Sequence, residues 1–333
     1  MSRIVVYDGN GISIGELHAD CSRSWAISDG GTAEITLGDP PSWLDLGQFV
    51  IVEHESLPAW GGMIDTPWRA LPPVTVTAYN AVYFCAIRSP RAAQTLKGTG
   101  GEILAEFISQ INQQGELYLR AGEISAEDVR RVEIYDMRTF WEQMKGLTQR
   151  AGMEMQVRVG TDANQRFRAW LDMAPRLGVD TDYLLHDGSG ANMQISDATV
   201  DGQIWNSITG ISDQATEQSR LTGETEEDEE SIGRYRLRSK TVQFNGVTSQ
   251  SQIEANTLAE LARLANPKVY LTVSVLDKGM AFQNLRLGNT LLVHASRLVL
   301  PGGARGWKGY ARITAMVYNE GANAVELSLE GEL

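Results

Sequence analysis

Histidine, cysteine and acidic residues are the side chains of this sequence that could carry out catalysis, and their spacing predicts no catalytic group. Four histidines lie far apart in the chain: His18, His54, His186 and His294. His54 and His294 each come near the end of an apolar segment, where a solvent-facing residue at the rim of a sheet is the simplest interpretation. The sequence also has no nucleophile elbow and no cysteine–histidine pairing with a plausible site around it. We therefore predict that the chain is not an enzyme.

Two short segments contain groups that bind metal ions or phosphate in other proteins. Residues 180–187 include three aspartates and a histidine. They lack the glycine and the spaced glutamate of a calcium-binding loop, so we interpret them as a polar loop before a strand. The glycine-rich residues 98–101 resemble a phosphate-binding loop, but no Lys-Ser or Lys-Thr pair follows them. We predict no metal site and no cofactor site.

Residues 213–230 are mostly polar and are strongly acidic toward their C-terminal end. Charges at this density oppose a packed core, so we predict an exposed, mobile loop. General acid–base catalysis needs carboxylates held at a fixed separation, which a mobile loop does not provide. We interpret the acidic part as an interaction loop, with the candidate residues Glu224, Glu226, Glu227, Asp228, Glu229 and Glu230.

The composition is that of a protein with an ordinary core and an acidic surface. The chain has 333 residues, of which 42% are hydrophobic, and its formal net charge is −13. This length suits two or more domains. The charge disfavours tight nucleic-acid binding, which needs lysine and arginine to neutralise phosphates. No apolar run reaches the ~18 residues of a membrane helix, and the two cysteines, Cys21 and Cys85, predict a reducing compartment and buried thiols.

Alternating apolar residues predict that most of the chain is β-sheet. Before residue 89 the candidate strands are 3–7, 24–27, 32–37, 48–53, 61–65 and 74–79. Further strands are expected at 153–159, 166–173 and 206–211, and three more between 285 and 333. Apolar residues at helical spacing predict helices at 102–112, 138–151 and 249–265. Thr99 and Glu102 fit a capping box for the first helix, and Gly152 fits a C-cap for the second.

Two parts of the sequence resemble each other and predict an internal repeat. The phrase Leu46-Gly47 near one end is matched by Leu287-Gly288 near the other. The matched segments are 33–37 with 270–275, 44–47 with 285–288, 60–64 with 307–310, and 74–77 with 325–328. We therefore predict two copies of one small β module, one toward each end of the chain.

Three tryptophans, Trp25, Trp60 and Trp307, lie within the predicted β modules. Burial in a core or at an interface is the simpler interpretation of these large side chains. An aromatic platform that binds sugar is the alternative that the sequence leaves open.

These observations predict a mainly β fold with α+β insertions, in which two antiparallel β modules, each a barrel or a sandwich, are related by the internal repeat. Changes in composition divide the chain into four segments. Residues 1–88 form part of the first module, and residues 89–185 form an inserted α+β domain. Residues 186–248 hold strands that return to the first module, the acidic loop and a second small insertion. Residues 249–333 form a helix and the second module.

The order of these parts resembles the hub proteins of bacteriophage tails, a family of baseplate hub or tail-tip proteins that includes the N-terminal part of tail-associated lysins. The resemblance rests on the opening module with Leu46-Gly47, the inserted helix and strand pair, strand 206–211, and the closing module with Leu287-Gly288. It covers nearly the whole chain, and the order of the motifs is more specific than any single motif. Such hubs contain two tail-tube-like β-barrels related by a repeat, with small α/β domains inserted between them.

The resemblance implies a structural virion protein. Three copies would place six tube-like barrels in a pseudo-sixfold ring that continues or closes the tail tube and adapts its sixfold symmetry to threefold. The ring would surround a lumen through which DNA passes, and acidic groups there would repel that DNA. The implied partners are other copies of the chain in a homotrimer, distal tail or tail-tube ring proteins, the tape-measure protein, and tail fibre or central spike proteins. The implied location is the virion tail tip, assembled in the host cytoplasm and without membrane insertion.

Two other functions stay open at this point. A distal tail ring subunit would share the β character, and six copies per virion rather than three would identify it. A carbohydrate-binding β protein of the tail tip would use its aromatic residues as the platform for sugar. Many hub relatives carry a C-terminal peptidase or host-binding region, and we expect another chain to supply those activities.

Overall fold

The computed structural model describes residues 2–115, 118–125, 131–201, 203–212, 220–244, 247, 249–276 and 280–333. Within these residues lie 21 β-strands and five α-helices. Thirteen of the strands form one large sheet, and the other eight form three small sheets. The prediction of a mainly β protein is therefore confirmed.

The first seven strands form one half of the large sheet. Their bounds are β1 Arg3–Tyr7, β2 Ser13–Leu17, β3 Asp20–Ala26, β4 Thr32–Leu37, β5 Phe49–Glu53, β6 Trp60–Arg69 and β7 Val74–Asn80. They lie in the order β3-β4-β7-β6-β5-β1-β2, and all neighbouring pairs are antiparallel. In β4, Ala33, Ile35 and Leu37 are buried while the residues between them are exposed. This alternation is expected of a sheet with one face on a core.

Residues 82–174 add three helices and five strands to the first half. Their bounds are α1 Val82–Ala86, β8 Gln94–Gly98, α2 Gly100–Gln113, β9 Leu119–Ile124, β10 Arg131–Tyr135, α3 Phe140–Ala151, β11 Glu154–Thr161 and β12 Phe167–Ala174. β8 pairs with β10, and β11, β12 and β9 form a separate small sheet. We call residues 82–174 the insertion.

The helices of the insertion begin and end at residues suited to those positions. At α2 the Thr99 hydroxyl accepts a hydrogen bond from the N–H of Glu102 at 3.2 Å, and the Glu102 carboxylate accepts one from the N–H of Thr99 at 2.9 Å. Thr139 and Glu142 form the same capping box at α3. α3 ends at Gly152, whose φ is +63°. The predicted capping box at Thr99 and the predicted C-cap at Gly152 are confirmed.

The second half contains nine strands and two α-helices. Their bounds are β13 Asp180–His186, β14 Met193–Asp201, β15 Ser207–Ser212, β16 Thr222–Glu227, α4 Glu229–Tyr235, β17 Ser239–Phe244, α5 Gln250–Leu264, β18 Lys268–Leu276, β19 Thr290–Val299, β20 Arg305–Asn319 and β21 Ala324–Glu332. Short 3-10 turns span Met280–Asn284 and Pro301–Gly303. β15, β16 and β17 form a small sheet on which α5 packs, with Ile208 and Leu261 in its core.

Two predictions for the second half are wrong. Residues 180–187, which we interpret as a polar loop, mostly form β13, because this segment finds a distant parallel partner in β19. β14 lies in the segment expected to return to the first module, but it pairs with β18. That pairing places Met193 opposite Val275, and both side chains are buried.

One hydrophobic core is shared by both halves of the large sheet, with side chains such as Ile35 from the first and Ile313 from the second. A separate core joins the insertion to the opposite faces of β1 and β5. There Phe49 stacks on Phe167 with ring centroids 4.7 Å apart. β1 and β5 are therefore buried on both faces, which explains their nearly continuous apolar sequence.

The large sheet is open in the part of the chain that the structure describes. β2, β13 and β14 each pair with a single neighbour there. These strand pairs do not form the two closed barrels that were expected from the sequence.

Candidate assembly surfaces

Six strands from each half of the large sheet lie in the same order. In the first half the order is β3-β4-β7-β6-β5-β1, and in the second it is β14-β18-β21-β20-β19-β13. Five corresponding strands thus keep the same antiparallel neighbours, and only the last pair differs. β1 is antiparallel to β5, whereas β13 is parallel to β19. We call these two sets of strands the first and second repeat.

The repeats also share individual backbone hydrogen bonds. The N–H of Gly47 donates to the carbonyl of Ile64 at 2.8 Å, and the N–H of Gly288 donates to the carbonyl of Ile313 at 2.8 Å. In return, the N–H of Ile64 and that of Ile313 each donate to the residue after the glycine, at 2.8 and 2.9 Å. The predicted match between Leu46-Gly47 and Leu287-Gly288 is therefore present in the structure as well as in the sequence.

The sequence match between Trp60 and Trp307 is two residues out of register. Trp60 pairs with Val52 in β5, and the residue that pairs with the corresponding Val293 in β19 is Gly309. A shift of two residues keeps a side chain on the same face of a strand. Both tryptophans are consequently buried, which fits core packing rather than a sugar-binding platform.

The two repeats are joined by pairing between β20 and β3. Residues 315–319 of β20 lie antiparallel to residues 22–26 of β3. At this junction Arg23 is buried, with its guanidinium carbon 4.8 Å from the ring centre of Tyr318 and 5.5 Å from that of Trp25. The Glu320 carboxylate accepts hydrogen bonds from the N–H groups of Ser2 and Cys21. The two repeats thus form one continuous sheet.

A cavity of about 430 Å³ lies where the two repeats and the insertion meet. It is lined by Trp25, Pro58, Ala59, Gln156, Val157, Arg158, Val159, Trp170, Gly178, Arg286, Leu287, Asn289 and Met316. On one side Arg286 of the second repeat donates to the carbonyl of Ser56 in the first, at 3.3 Å. Burial lowers the pKa of Arg286. Contacts between the two repeats within the chain therefore leave this cavity partly unfilled.

A second concave surface, about 450 Å³ in volume, lies beside the unpaired edge of β14. It is lined by Ala198, Thr199, Val200, Val269, Arg297, Leu298, Val299, Leu300 and Pro301. Val299 is 70% exposed. Apolar side chains such as Val299 therefore lie open to solvent on this surface in the single chain.

Ion pairs hold the insertion against the second repeat and within itself. Arg312 in β20 makes a two-pronged pair with Glu154 in β11 and also donates to the carbonyl of Leu177 at 2.8 Å. Hydrogen bonding to Glu154 raises the pKa of Arg312. Inside the insertion, Arg158 pairs with the buried carboxylate of Asp172. The insertion is fixed to the sheet by charge as well as by apolar packing.

The acidic segment has regular structure, so the prediction of a mobile loop is wrong for its described part. β16 pairs with β15, and Glu227 accepts a hydrogen bond from the Ser207 hydroxyl at 3.1 Å. Asp228 caps α4 by accepting from the N–H of Ser231 at 2.9 Å. Glu229 and Glu230 lie in the first turn of α4, where the helix dipole favours acidic side chains. Residues 213–219 of the predicted loop lie outside the described residues.

All six candidate interaction residues lie on this strand and helix start. Glu224, Glu227, Glu229 and Glu230 are exposed, and Glu226 and Asp228 are half-buried. β16 is an edge strand in the described part of this sheet, where it pairs with β15 alone in the order β16-β15-β17. The carboxylates therefore form a fixed acidic surface, which we call the acidic edge.

The residues weighed above as catalytic or metal-binding groups do not come together. Asp180 pairs with Arg176, and hydrogen bonds from Thr290 and Arg176 lower its pKa. Asp187 accepts hydrogen bonds from the N–H and hydroxyl of Ser296, both at 2.8 Å. His54 lies against Tyr318, with ring centroids 5.2 Å apart. Across the described ranges of the chain, no group of three metal-binding side chains is found.

Comparison with known proteins gives matches to solved structures. A prophage tail protein, gp18 from Listeria monocytogenes, has 16% identity and a TM-score of 0.63, covering 98% of this chain and 94% of that one. A tail protein from Neisseria meningitidis has 13% identity and a TM-score of 0.61, covering 100% of this chain and 96% of that one. This chain has the fold of prophage tail proteins. No protein-family model and no curated protein matches it.

The tail-protein fold also occurs in secretion machinery. The Escherichia coli c3393 protein, described as a component of the type VI secretion system with structural similarity to the T4 tail proteins gp27 and gp5, has 11% identity and a TM-score of 0.54. The match covers 94% of this chain and 72% of that one. The helices in the described ranges are all too short or too polar to cross a bilayer.

Proposed function

We propose that this chain is a structural hub of a phage tail tip or baseplate, in which each repeat acts as one tube-like β unit. The observation that carries the proposal is the shared strand order of the two repeats, joined through β20 and β3 into one sheet. The tail-protein fold supports it independently. The insertion, residues 82–174, and the small sheet of β15 to β17 would then be outward additions to the two units.

Three copies of such a chain would supply six tube-like units around one axis. A homotrimer of this kind presents pseudo-sixfold symmetry to a hexameric tail tube and true threefold symmetry to the tip. The formal net charge of −13 suits a ring that must let DNA pass without retaining it. In this role the chain is non-enzymatic and belongs to the virion tail tip after assembly in the host cytoplasm.

The proposed partners are distal tail or tail-tube ring proteins, the tape-measure protein, and tail fibre or central spike proteins. The acidic edge is the surface that we assign to one of these contacts, because its carboxylates are exposed and held by regular structure. Replacing Glu224, Glu227 and Glu230 by glutamine tests the assignment in a tail assembly assay. We expect fewer complete tails; normal assembly and infectivity would retire it.

The mass of the purified protein in solution tests the hub proposal. Light scattering should give three times the mass of the 36.6 kDa chain or, after addition of the neighbouring ring protein, the mass of a complex that contains three copies of the chain. A mass of six chains would instead favour a distal tail ring subunit. A monomer under both conditions would contradict both assignments.

A second candidate is the equivalent hub of a contractile secretion system. The match to the type VI component from Escherichia coli favours it. The two candidates share one architecture and differ in the particle that contains it. Isolation of the chain from phage particles or from secretion sheaths separates them.

A further inference from the structure

The chain contains one complete junction between repeats. It also contains two strand edges that would form a second junction of the same kind, but these edges do not meet within the described part of the chain. In the complete junction, the second part of β20 pairs with β3. Among the described residues, the corresponding part of β6, from Asp65 to Arg69, pairs with β7 alone, and β14, which corresponds to β3, pairs with β18 alone. Unpaired edges of this kind carry free N–H and C=O groups that favour another strand.

Resting on the proposed ring, we propose that the missing strand comes from a second copy of this chain. The free part of β6 in one copy pairs antiparallel with β14 in the next copy, in the way that β20 pairs with β3 inside each copy. Each chain then uses both of these edges, and the pairing closes after a whole number of copies.

The register on the β6 side follows from the strand pairs within each repeat. Met316 in β20 pairs with Leu327, and Trp68 in β6 pairs with Val76. Val76 and Leu327 take the same place in the two repeats, so Trp68 takes the place of Met316. Pro67, which has no N–H to donate, lies in the bulge between Asp65 and Trp68 and does not interrupt the ladder.

The register on the β14 side follows in the same way. Arg23 in β3 pairs with Ala33 in β4, and Ala198 in β14 pairs with Leu271 in β18. Ala33 and Leu271 take the same place in the two repeats, so Ala198 takes the place of Arg23. Two residues further along, Val200 takes the place of Trp25. Since Trp25 lies opposite Met316 in the internal junction, Val200 of one copy lies opposite Trp68 of the next, and Thr199 lies opposite Arg69.

The side chains beside these edges match the internal junction. Inside the chain, Trp25 and Pro58 of the first repeat face Leu287 of the second across the cavity. The concave surface beside β14 presents Val200 and Val299 at the corresponding places, and Val299 is exposed there. Leu46, which corresponds to Leu287, is 46% exposed. The next copy would bury Leu46 against Val299.

The charges at the two surfaces are complementary. Arg286 contacts the Ser56 carbonyl across the internal junction. Asp45 takes the place of Arg286 in the other repeat, and counting on from the matched strands β5 and β19 puts Arg297 in the place of Ser56. Asp45 and Arg297 are both exposed, and neither forms an ion pair with another described residue. Opposite charges would therefore meet between copies.

A disulfide trap tests the strand pairing directly. Cysteines are placed on both edges by Arg69→Cys and Thr199→Cys in one chain. Residues opposite each other in an antiparallel pair have Cα atoms about 4.5–5.5 Å apart, which a disulfide can span. Native Cys21 and Cys85 are buried and give little background. After mild oxidation we expect most of the chain as covalent dimers and trimers on a non-reducing gel.

A matched control uses the internal counterpart of Thr199. Arg69→Cys with Ser24→Cys should give no cross-linked species, because the edge at Ser24 is already occupied by Val317 of the same chain. Light scattering on each sample separates the two proposals. A trimer without a 69–199 cross-link would overturn the edge pairing and leave the ring intact, and a monomer without one would overturn both.

A charge swap gives an independent readout. Asp45→Arg alone and Arg297→Asp alone would place like charges together and weaken association about tenfold. The double variant should recover association, whereas Glu106→Arg on the exposed side of α2 should leave it unchanged. Failure of the double variant to recover would overturn the contact between Asp45 and Arg297.

Discussion

Gly47 and Gly288 hold the same place in the two repeats, and each has a φ of +81°. Each donates its N–H to an isoleucine carbonyl in the next strand, at 2.8 Å. Their surroundings differ. A Cβ at Gly47 would meet no atom within 4 Å, whereas a Cβ at Gly288 would lie 2.3 Å from the carbonyl oxygen of Leu177. The second repeat therefore has a close backbone contact that the first lacks.

This difference predicts unequal effects of the same substitution. Gly47→Ala carries only the cost of a left-handed backbone with a side chain, about 1 kcal/mol. Gly288→Ala adds the collision with Leu177 and should lose about 3 kcal/mol or more. Urea unfolding of both variants measures the difference. Equal losses would mean that the contact between residues 177 and 288 is absent.

The ion pair between Glu154 and Arg312 should contribute measurably to stability. Glu154→Gln leaves the largely buried Arg312 without its counter-charge, and we expect a loss of about 2 kcal/mol in the free energy of unfolding. Glu16→Gln is the matched control, because its pair with Arg3 is exposed and Arg3 keeps Glu53 as a partner. Comparable losses in the two variants would contradict the assignment.

The hydrogen bonds to Asp187 should make stability depend on acid pH. Burial raises the pKa of Asp187, but the hydrogen bonds from Ser296 and Arg297 lower it by more than burial raises it. The pKa of Asp187 is therefore below its ordinary value. A lowered folded pKa gives stabilisation above the unfolded pKa of about 3.9 that is lost as pH falls through the folded value.

Asp187→Asn tests that pH dependence. The difference in unfolding free energy between wild type and variant should be largest near pH 7 and shrink below about pH 4. Urea unfolding at several pH values gives this difference directly. A difference that stays constant down to pH 2 would show that the carboxylate charge has no part in it.

Both cysteines should resist modification in the native protein. Burial raises the pKa of Cys21 to about 11 and that of Cys85 to about 12, and the thiolate is the reactive form. A thiol reagent should therefore label neither residue at neutral pH and both after denaturation. Rapid native labelling, located by peptide mapping, would identify the cysteine whose burial is wrong.

Features set by neighbouring residues could be predicted from the sequence. The capping box of Thr99 and Glu102 and the C-cap at Gly152 depend on side chains within four positions of each other. The Leu-Gly phrases around Gly47 and Gly288 also mark a local backbone requirement. These predictions held because the physical cause lies in the same short segment as the signal.

Features set by distant partners could not be predicted in this way. A strand pattern repeats every two residues, so it cannot distinguish Trp307 from Gly309 as the counterpart of Trp60. Residues 180–186 and 222–227 look too polar for strands, yet β19 and β15 supply partners for them. The unpaired edges at Arg69 and Thr199 became visible only when both repeats could be compared strand by strand.

Electron cryo-microscopy of the assembled tail end shows directly whether this chain forms the proposed ring. We expect one layer made of three copies of this chain, with six β units around a single central opening. Adjacent units would alternate between pairing within a chain and pairing between chains. Six copies in the layer, or three copies that place only three β units around the opening, would contradict the proposed ring.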